Sequence, residues 1–237
     1  MGIGGMTRTS GTLRRLCTLF SVVVVLGACA EFRDDPATVS QDVVARATAT
    51  VDRFRTLPGL AVYWSFVADA QGVVVLPRVV KAGFLGAAEG GSGVMLARGA
   101  DGAWSAPAFY TLGGASFGLQ VGIQSTEVLL ILRTEKAVRA FLDHQAKLGA
   151  DAGLTVGMLG GGLEASTTTN LGTDVLAFAH ALVGAFGGVA LEGAVLVRRK
   201  DLNEAYYGAG ATPQAIIIDR SLENPAADAL RAALAGN

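Results

Sequence analysis

From Val79 to Leu132 the chain is a series of short apolar runs broken by glycine pairs: Gly90-Gly91, then Gly113-Gly114, with Asp101-Gly102 between them. Runs this short suit strands, and glycine at the breaks suits tight turns, bulges and close backbone approach. The pattern extends to the whole chain, where glycine fills 32 of 237 positions and proline only 6, about twice the ~7% of glycine usual in proteins. No G-X-Y period accompanies it, which excludes collagen. At 51% hydrophobic residues, there is enough apolar material to bury, which excludes disorder over most of the length. One sizeable core fits this length.

Helical periodicity appears at the flanks. Val39, Val43, Ala47, Val51, Phe54 and Leu57 recur every three or four positions, with Asp42, Arg46 and Arg53 on the opposite face. Asp35-Pro36 opens this amphipathic helix and Pro58-Gly59 ends it. It either packs on the body or lies in a lipid interface. Residues 60–70 suit helix and strand equally. Residues 73–76 read as a buried strand closed by Pro77. Asp101-Gly102 marks a hairpin between residues 94–98 and 103–110. Residues 128–132 form another buried strand. Thr134 then caps a short helix with Val138, Phe141 and Leu142 on one face, stopping near Gly149. Further apolar segments follow at 152–159, 175–181 and 186–197, and Asn224-Pro225 opens a last short helix. The expected fold is α+β: a single antiparallel β-rich domain with a few flanking helices.

Charge divides the chain. The formal net charge is −1, but residues 1–28 carry Arg8, Arg14 and Arg15 and no acid. The remainder holds 16 basic and 20 acidic residues, a net of −4. An acidic body without a basic run is unsuited to nucleic acid, and no nucleic-acid partner is expected. Residues 1–28 have the form of a secretory leader, with a basic start and an apolar run over residues 16–26. That run is shorter than the roughly 18 residues a membrane span needs. Leu26-Gly27-Ala28-Cys29 resembles the bacterial lipobox, in which the cysteine sulfur is acylated and becomes the first residue after cleavage. The resemblance implies lipidation at Cys29, a covalent membrane anchor. Ala30 after it favours the outer membrane of a bacterial envelope. Cys17 lies within the leader, so no disulfide is expected.

Motifs for chemistry are sparse. Gly114-Ala115-Ser116-Phe117-Gly118 matches G-x-S-x-G, with Asp143, Asp151 or Asp174 and then His180 in hydrolase order. A nucleophile elbow needs a helix after the serine, whereas Leu119, Val121 and Ile123 alternate as a strand would. His144 and His180 are too far apart in sequence for a zinc pattern, and no phosphate-loop motif occurs. His144 reads as solvated and His180 as half-buried and structural. Glu89, Glu127, Glu164 and Glu192 are scattered. No enzyme, metal or cofactor is expected.

Several dispersed segments carry a family resemblance. Val79 to Phe84, Gly91-Ser92-Gly93-Val94, residues 102–109, residues 118–127, residues 148–151, Leu191-Glu192-Gly193 and residues 199–208 are similar, in order and spacing, to the SYLF lipid-binding domain. That family includes yeast actin-patch regulators, FYVE- and SH3-containing eukaryotic proteins and bacterial lipoproteins. The resemblance implies a non-catalytic domain that binds an anionic phospholipid or phosphoinositide-like headgroup. Residues 180–188 lack the basic, serine-rich character many relatives have there, which removes cations that would pair with phosphate. Arg78, Lys81, Arg98, Arg199 and Lys200 are then the candidate lipid-binding residues, while Phe84, Trp104 and Phe109 read as core. The expected organisation is a leader over 1–28, a lipidated tether with amphipathic helix over 29–58, the SYLF-like domain over 59–218 and a helical tail over 219–237. The expected role is that of a membrane-anchored bacterial lipoprotein with a non-covalent lipid ligand. Its alternative is a structural or protein-interaction protein of the envelope, with the protein partner unknown.

Overall fold

Strands come first, because the glycine-broken apolar runs of the sequence form one sheet. The computed structural model describes residues 34–57, 64–83, 86–117, 122–143, 146–147, 156–159, 174–183 and 194–236. The strands are β1 (Gly72–Gly83), β2 (Gly86–Ala97), β3 (Ala108–Phe117), β4 (Gly122–Leu132), β5 (Ala146–Lys147), β6 (Val156–Leu159), β7 (Val175–Val183) and β8 (Val195–Arg198). They form one eight-stranded sheet in the order β5-β8-β3-β2-β1-β4-β7-β6. Neighbours are antiparallel, except that β6 runs parallel to β7. The helices are α1 (Pro36–Thr56), α2 (Glu135–Asp143), α3 (Lys200–Tyr207) and α4 (Asp228–Ala235). This is the expected α+β architecture, an antiparallel sheet with flanking helices.

The central strands are apolar on both faces, because both faces are covered. On the first face Val74, Met95, Tyr110, Leu130 and Ala177 pack beneath α2 and beneath Ile216 and Ile217. On the second, Val73, Val94, Phe109, Leu129 and Phe178 pack beneath α1, α3 and α4. The α1 helix therefore packs on the body, with Val43, Ala47, Val51 and Phe54 in the core. Pro36–Asn237 forms one unit, and Leu230 and Leu234 of α4 share a core with α1. Among the described residues, no helix is long and apolar enough to cross a membrane.

Local signals mostly act where the sequence places them. Thr134 Oγ1 accepts from Ala137 N at 3.1 Å, which satisfies an orphan donor at the start of α2. Asn224 caps the Pro225–Ala227 turn that leads into α4. Gly102, at φ 77°, makes the turn of the Asp101-Gly102 hairpin. The chain departs from expectation at Pro77, which does not close β1. The strand continues to Gly83 through a bulge, because register with β2 jumps between Val75↔Val94 and Val80↔Gly90. Proline lacks the ladder donor, and a bulge is where a strand tolerates that. Similarly, α2 ends at Asp143 rather than near Gly149. The α3 helix, unmarked by any cap or periodic signal noticed in the sequence, is docked by Asn203. Its buried amide accepts from Phe109 N at 3.0 Å and donates to Phe109 O at 3.2 Å.

Candidate interaction face

The bulge organises the face that α1 covers. Leu76 and Val79 both point into the first core. Pro77 and Arg78 therefore share one position on the second face, two residues opposite one. Pro77 is buried and Arg78 exposed. The row of side chains beside this bulge is polar along its length. Ser92 pairs with Thr111 on one side, and Glu127 pairs with His180 on the other.

Each end of the row is tied to a helix. At the β3 end, buried Arg199 donates to Asp201 through Nε at 2.8 Å and Nη2 at 2.7 Å. Its Nη1 donates to Ser92 Oγ at 3.1 Å and Thr111 Oγ1 at 3.2 Å. The side-chain hydrogen bonds from Arg199 hold the Asp201 carboxyl below the usual range, a planar fork meeting a carboxylate. At the β4 end, the Glu127 side chain is only 3% exposed. Its Oε1 accepts from Thr50 Oγ1 at 2.7 Å and from Arg53 Nη1. Its Oε2 meets His180 Nδ1 at 3.1 Å. Phe54 approaches the His180 ring edge-on. The row thus joins α3 to β3 and α1 to β4 and β7, and it marks where helical cover of this face ends.

Beyond the row the sheet continues without described cover on this side. Gly90 and Gly113, then Ala88 and Ala115, are paired across β2 and β3. Ala88, Gly113, Ala115 and Ile123 are exposed. The other face of the same end is closed and polar. Lys81 pairs with Glu89 and Gln124 in one row. Lys81 is 8% exposed and Gln124 2%. Glu89 Oε2 and Gln124 Oε1 are buried acceptors without a partner. Burial pushes the Glu89 carboxyl up, and the Lys81 charge only partly offsets this.

A carboxyl raised in the folded state favours the protonated form, so its stability contribution is full below the unfolded value and falls as pH rises through the folded one. Glu89→Gln should therefore raise the melting temperature at pH 7. The gain should shrink as pH falls from the raised value towards about 4.5 and be lost below it. Thermal unfolding across that range checks it; a variant no more stable than the parent at neutral pH overturns it.

The five cations named from sequence do not converge. Arg78 is exposed at the bulge, whereas Lys81 is buried on the opposite face. Arg98 sits beyond the other end of β2, its Cζ 4.3 Å over the Trp104 ring. Its nitrogens donate to the carbonyls of Ala70, Val67 and Gly102 at 3.2, 3.1 and 3.0 Å. Arg199 is spent on Asp201, Ser92 and Thr111. Lys200 is exposed, 3.7 Å from Glu204. Cys29 and the leader lie outside the described residues, as do Phe84 and His144; Trp104 and Phe109 are core.

Serine chemistry finds no support in the geometry. β3 runs through Ser116 as strand, His180 is engaged by Glu127, and Asp174 accepts from Thr134 at 3.1 Å. Among the described residues no His, Cys, Asp or Glu cluster could hold a metal. Sequence reading missed the Glu127 network. The available signal was Thr50 and Arg53, three apart on α1, facing a lone carboxylate that abuts the apolar run 128–132. Arg53 was instead assigned to the solvent face, and it is half-buried.

Comparison with known proteins adds kinship to this geometry. The profile of the Ysc84 family, described as Las17-binding protein actin regulator, matches residues 113–237. Protein YSC84 of Saccharomyces cerevisiae is 37% identical over 163 residues, which is 68% of this chain and 35% of that protein. LAS seventeen-binding protein 3 of the same yeast is 36% identical over the same shares. SH3 domain-containing YSC84-like protein 1 of Xenopus laevis is 41% identical over 143 residues, 60% of this chain and 42% of that protein. The chain thus spans about two fifths or less of the length of these relatives.

These relatives correct the functional expectation. They are eukaryotic proteins named for Las17 binding, actin regulation and SH3 domains. The expected bacterial outer-membrane lipoprotein, with a lipid anchor, a phospholipid or phosphoinositide-like ligand and no identified protein partner, gives way to that kinship. The geometry supplies a physical reason. A headgroup site needs cations gathered on one open surface, and here Lys81 is buried on one face while Arg98 and Arg199 are committed to internal acceptors.

Proposed function

The chain belongs to the Ysc84 family of Las17-binding protein actin regulators, and on that footing we propose that it is a non-catalytic protein-interaction protein that works in actin regulation. The observation that carries this is the 37% identity over 163 residues to a yeast member, a stretch long enough to include most of the sheet. The geometry agrees with it. The polar groups beside the bulge are bonded to one another, which suits a rigid platform better than a reacting centre. The partners are taken to be of the relatives' kind, Las17-type regulators and actin. The test is to immobilise the full chain and measure its binding to Las17, and to co-sediment it with filamentous actin. Saturable binding to either partner is expected. Binding to neither removes the reading.

A further inference from the structure

We propose that the open end of the sheet, on the side that α1 covers, is a docking face for an amphipathic helix whose apolar stripe is flanked by carboxylates. The inference rests on the protein-interaction reading and names the surface and the chemistry of its partner. Large apolar side chains that stay exposed gather here. Ile123 is 59% exposed and lies on β4 beyond the Glu127 row. Leu182 is exposed on β7, where register with β4 shifts between Ser125↔Val183 and Thr126↔Ala181. Leu57 is exposed just past the α1 turn whose Arg53 reaches Glu127. Ile123, Leu182 and Leu57 thus mark the β4–β7 side of the open end, while exposed Phe66 lies one row back, stacked on buried Phe178 with centroids 6.0 Å apart.

The floor between them is low. Ala82 pairs with Ala88 and with Ile123, so small side chains leave a shallow apolar trough. Its floor, Ala82, Ala88 and Gly90, lies on β1 and β2, whose ladders are paired on both sides there. A partner lying across that floor therefore contributes side chains rather than a strand, as an amphipathic helix does.

Charge selects the partner's sign. Along the row that borders the trough, the cations and the imidazole that reach solvent are Arg78, His180 and Arg53 of α1. Of its two carboxylates, Glu127 is buried and already holds three partners, and Asp201, exposed at the β3 end, is engaged by Nε and Nη2 of Arg199. Nearby Asp52 on α1 is matched by Arg55 at 3.5 Å. Carboxylates beside an apolar stripe complement this border, and ammonium groups do not.

The test uses the full chain and two labelled synthetic helices of about 18 residues, about 27 Å long. Both carry the same leucine stripe; one has Glu and the other Lys at the polar positions. Fluorescence anisotropy should show the Glu helix binding at least tenfold more tightly than the Lys helix, with weakening as salt rises. Ile123→Asp and Leu182→Asp should each weaken the Glu helix at least tenfold. Both residues are exposed, so melting temperatures should hold. Equal binding of both helices overturns the proposal, as does binding that neither variant weakens. Sedimentation showing that the chain pairs with itself through Ile123 also overturns it, since a second copy would then be the occupant. Helix binding without binding to Las17 or actin leaves the docking face standing and removes the proposed partners. The reverse result removes the docking face alone.

Discussion

Gly91→Ala is expected to destabilise the protein by about 3 kcal/mol or more, while Gly113→Ala changes stability by less than about 1 kcal/mol. The two glycines lie in adjacent strands of one sheet, and their surroundings differ. A Cβ at Gly91 would run into the Arg78 carbonyl well inside 3.0 Å, and that carbonyl is backbone at the bulge. A Cβ at Gly113 would meet nothing within 4 Å. The first alanine must push the bulge out of register, so Val80 to Gly83 lose their pairing with β2. The second gains strand propensity in open space. Urea unfolding of both variants measures the contrast. Equal effects would mean that the bulge yields freely. Because the bulge also presents Arg78, Gly91→Ala should weaken binding of the acidic helix in any fraction that still folds.

The second large effect is expected at Glu127. Glu127→Ala should cost about 3 kcal/mol, because it leaves the Thr50 hydroxyl, the Arg53 guanidinium and His180 without their shared acceptor. Arg53→Met should cost only about 1 kcal/mol, since that guanidinium is half-exposed and gains part of its solvation from water. Thr50→Val should cost about 1–2 kcal/mol for a buried hydrogen bond. Double-mutant cycles between Glu127 and each partner measure the coupling. Coupling energies near zero for both pairs would show that α1 is held by its apolar face alone, by Val43, Ala47, Val51 and Phe54.

Much of the fold was legible because its signals are local. The α1 stripe, the Thr134 cap, the Asp101-Gly102 turn and the Asn224 cap each depend on a few neighbouring residues whose backbone needs are specific. Pro77 misled for the same reason. A proline after four valine and leucine residues reads as a stop, and only the register of β2 and β4 shows that a bulge absorbs it. The α3 helix escaped notice because its docking comes from Asn203 bonding to Phe109, 94 positions away.

The candidate site was less legible, since charge in a sequence carries no face. Lys81 and Arg78 are three positions apart, and strand alternation sends them to opposite sides of the sheet once the chain runs on as strand past Pro77. Arg98 and Arg199 looked like surface cations, and their acceptors come from distant segments. The leader-like start and the lipobox pointed to a lipid role, and kinship over the body redirected it.

The sequence by itself determined the class of fold, the apolar stripes of the helices and the turns, because these are set by local spacing. The tertiary structure decided which charges are spent and which are offered. It buried Glu127 beneath α1, turned Arg199 inward onto Asp201, and left Ile123, Leu182 and Arg78 along one open face. Those outcomes depend on strand register and on which helix covers which row, and neither is written in any local stretch of residues.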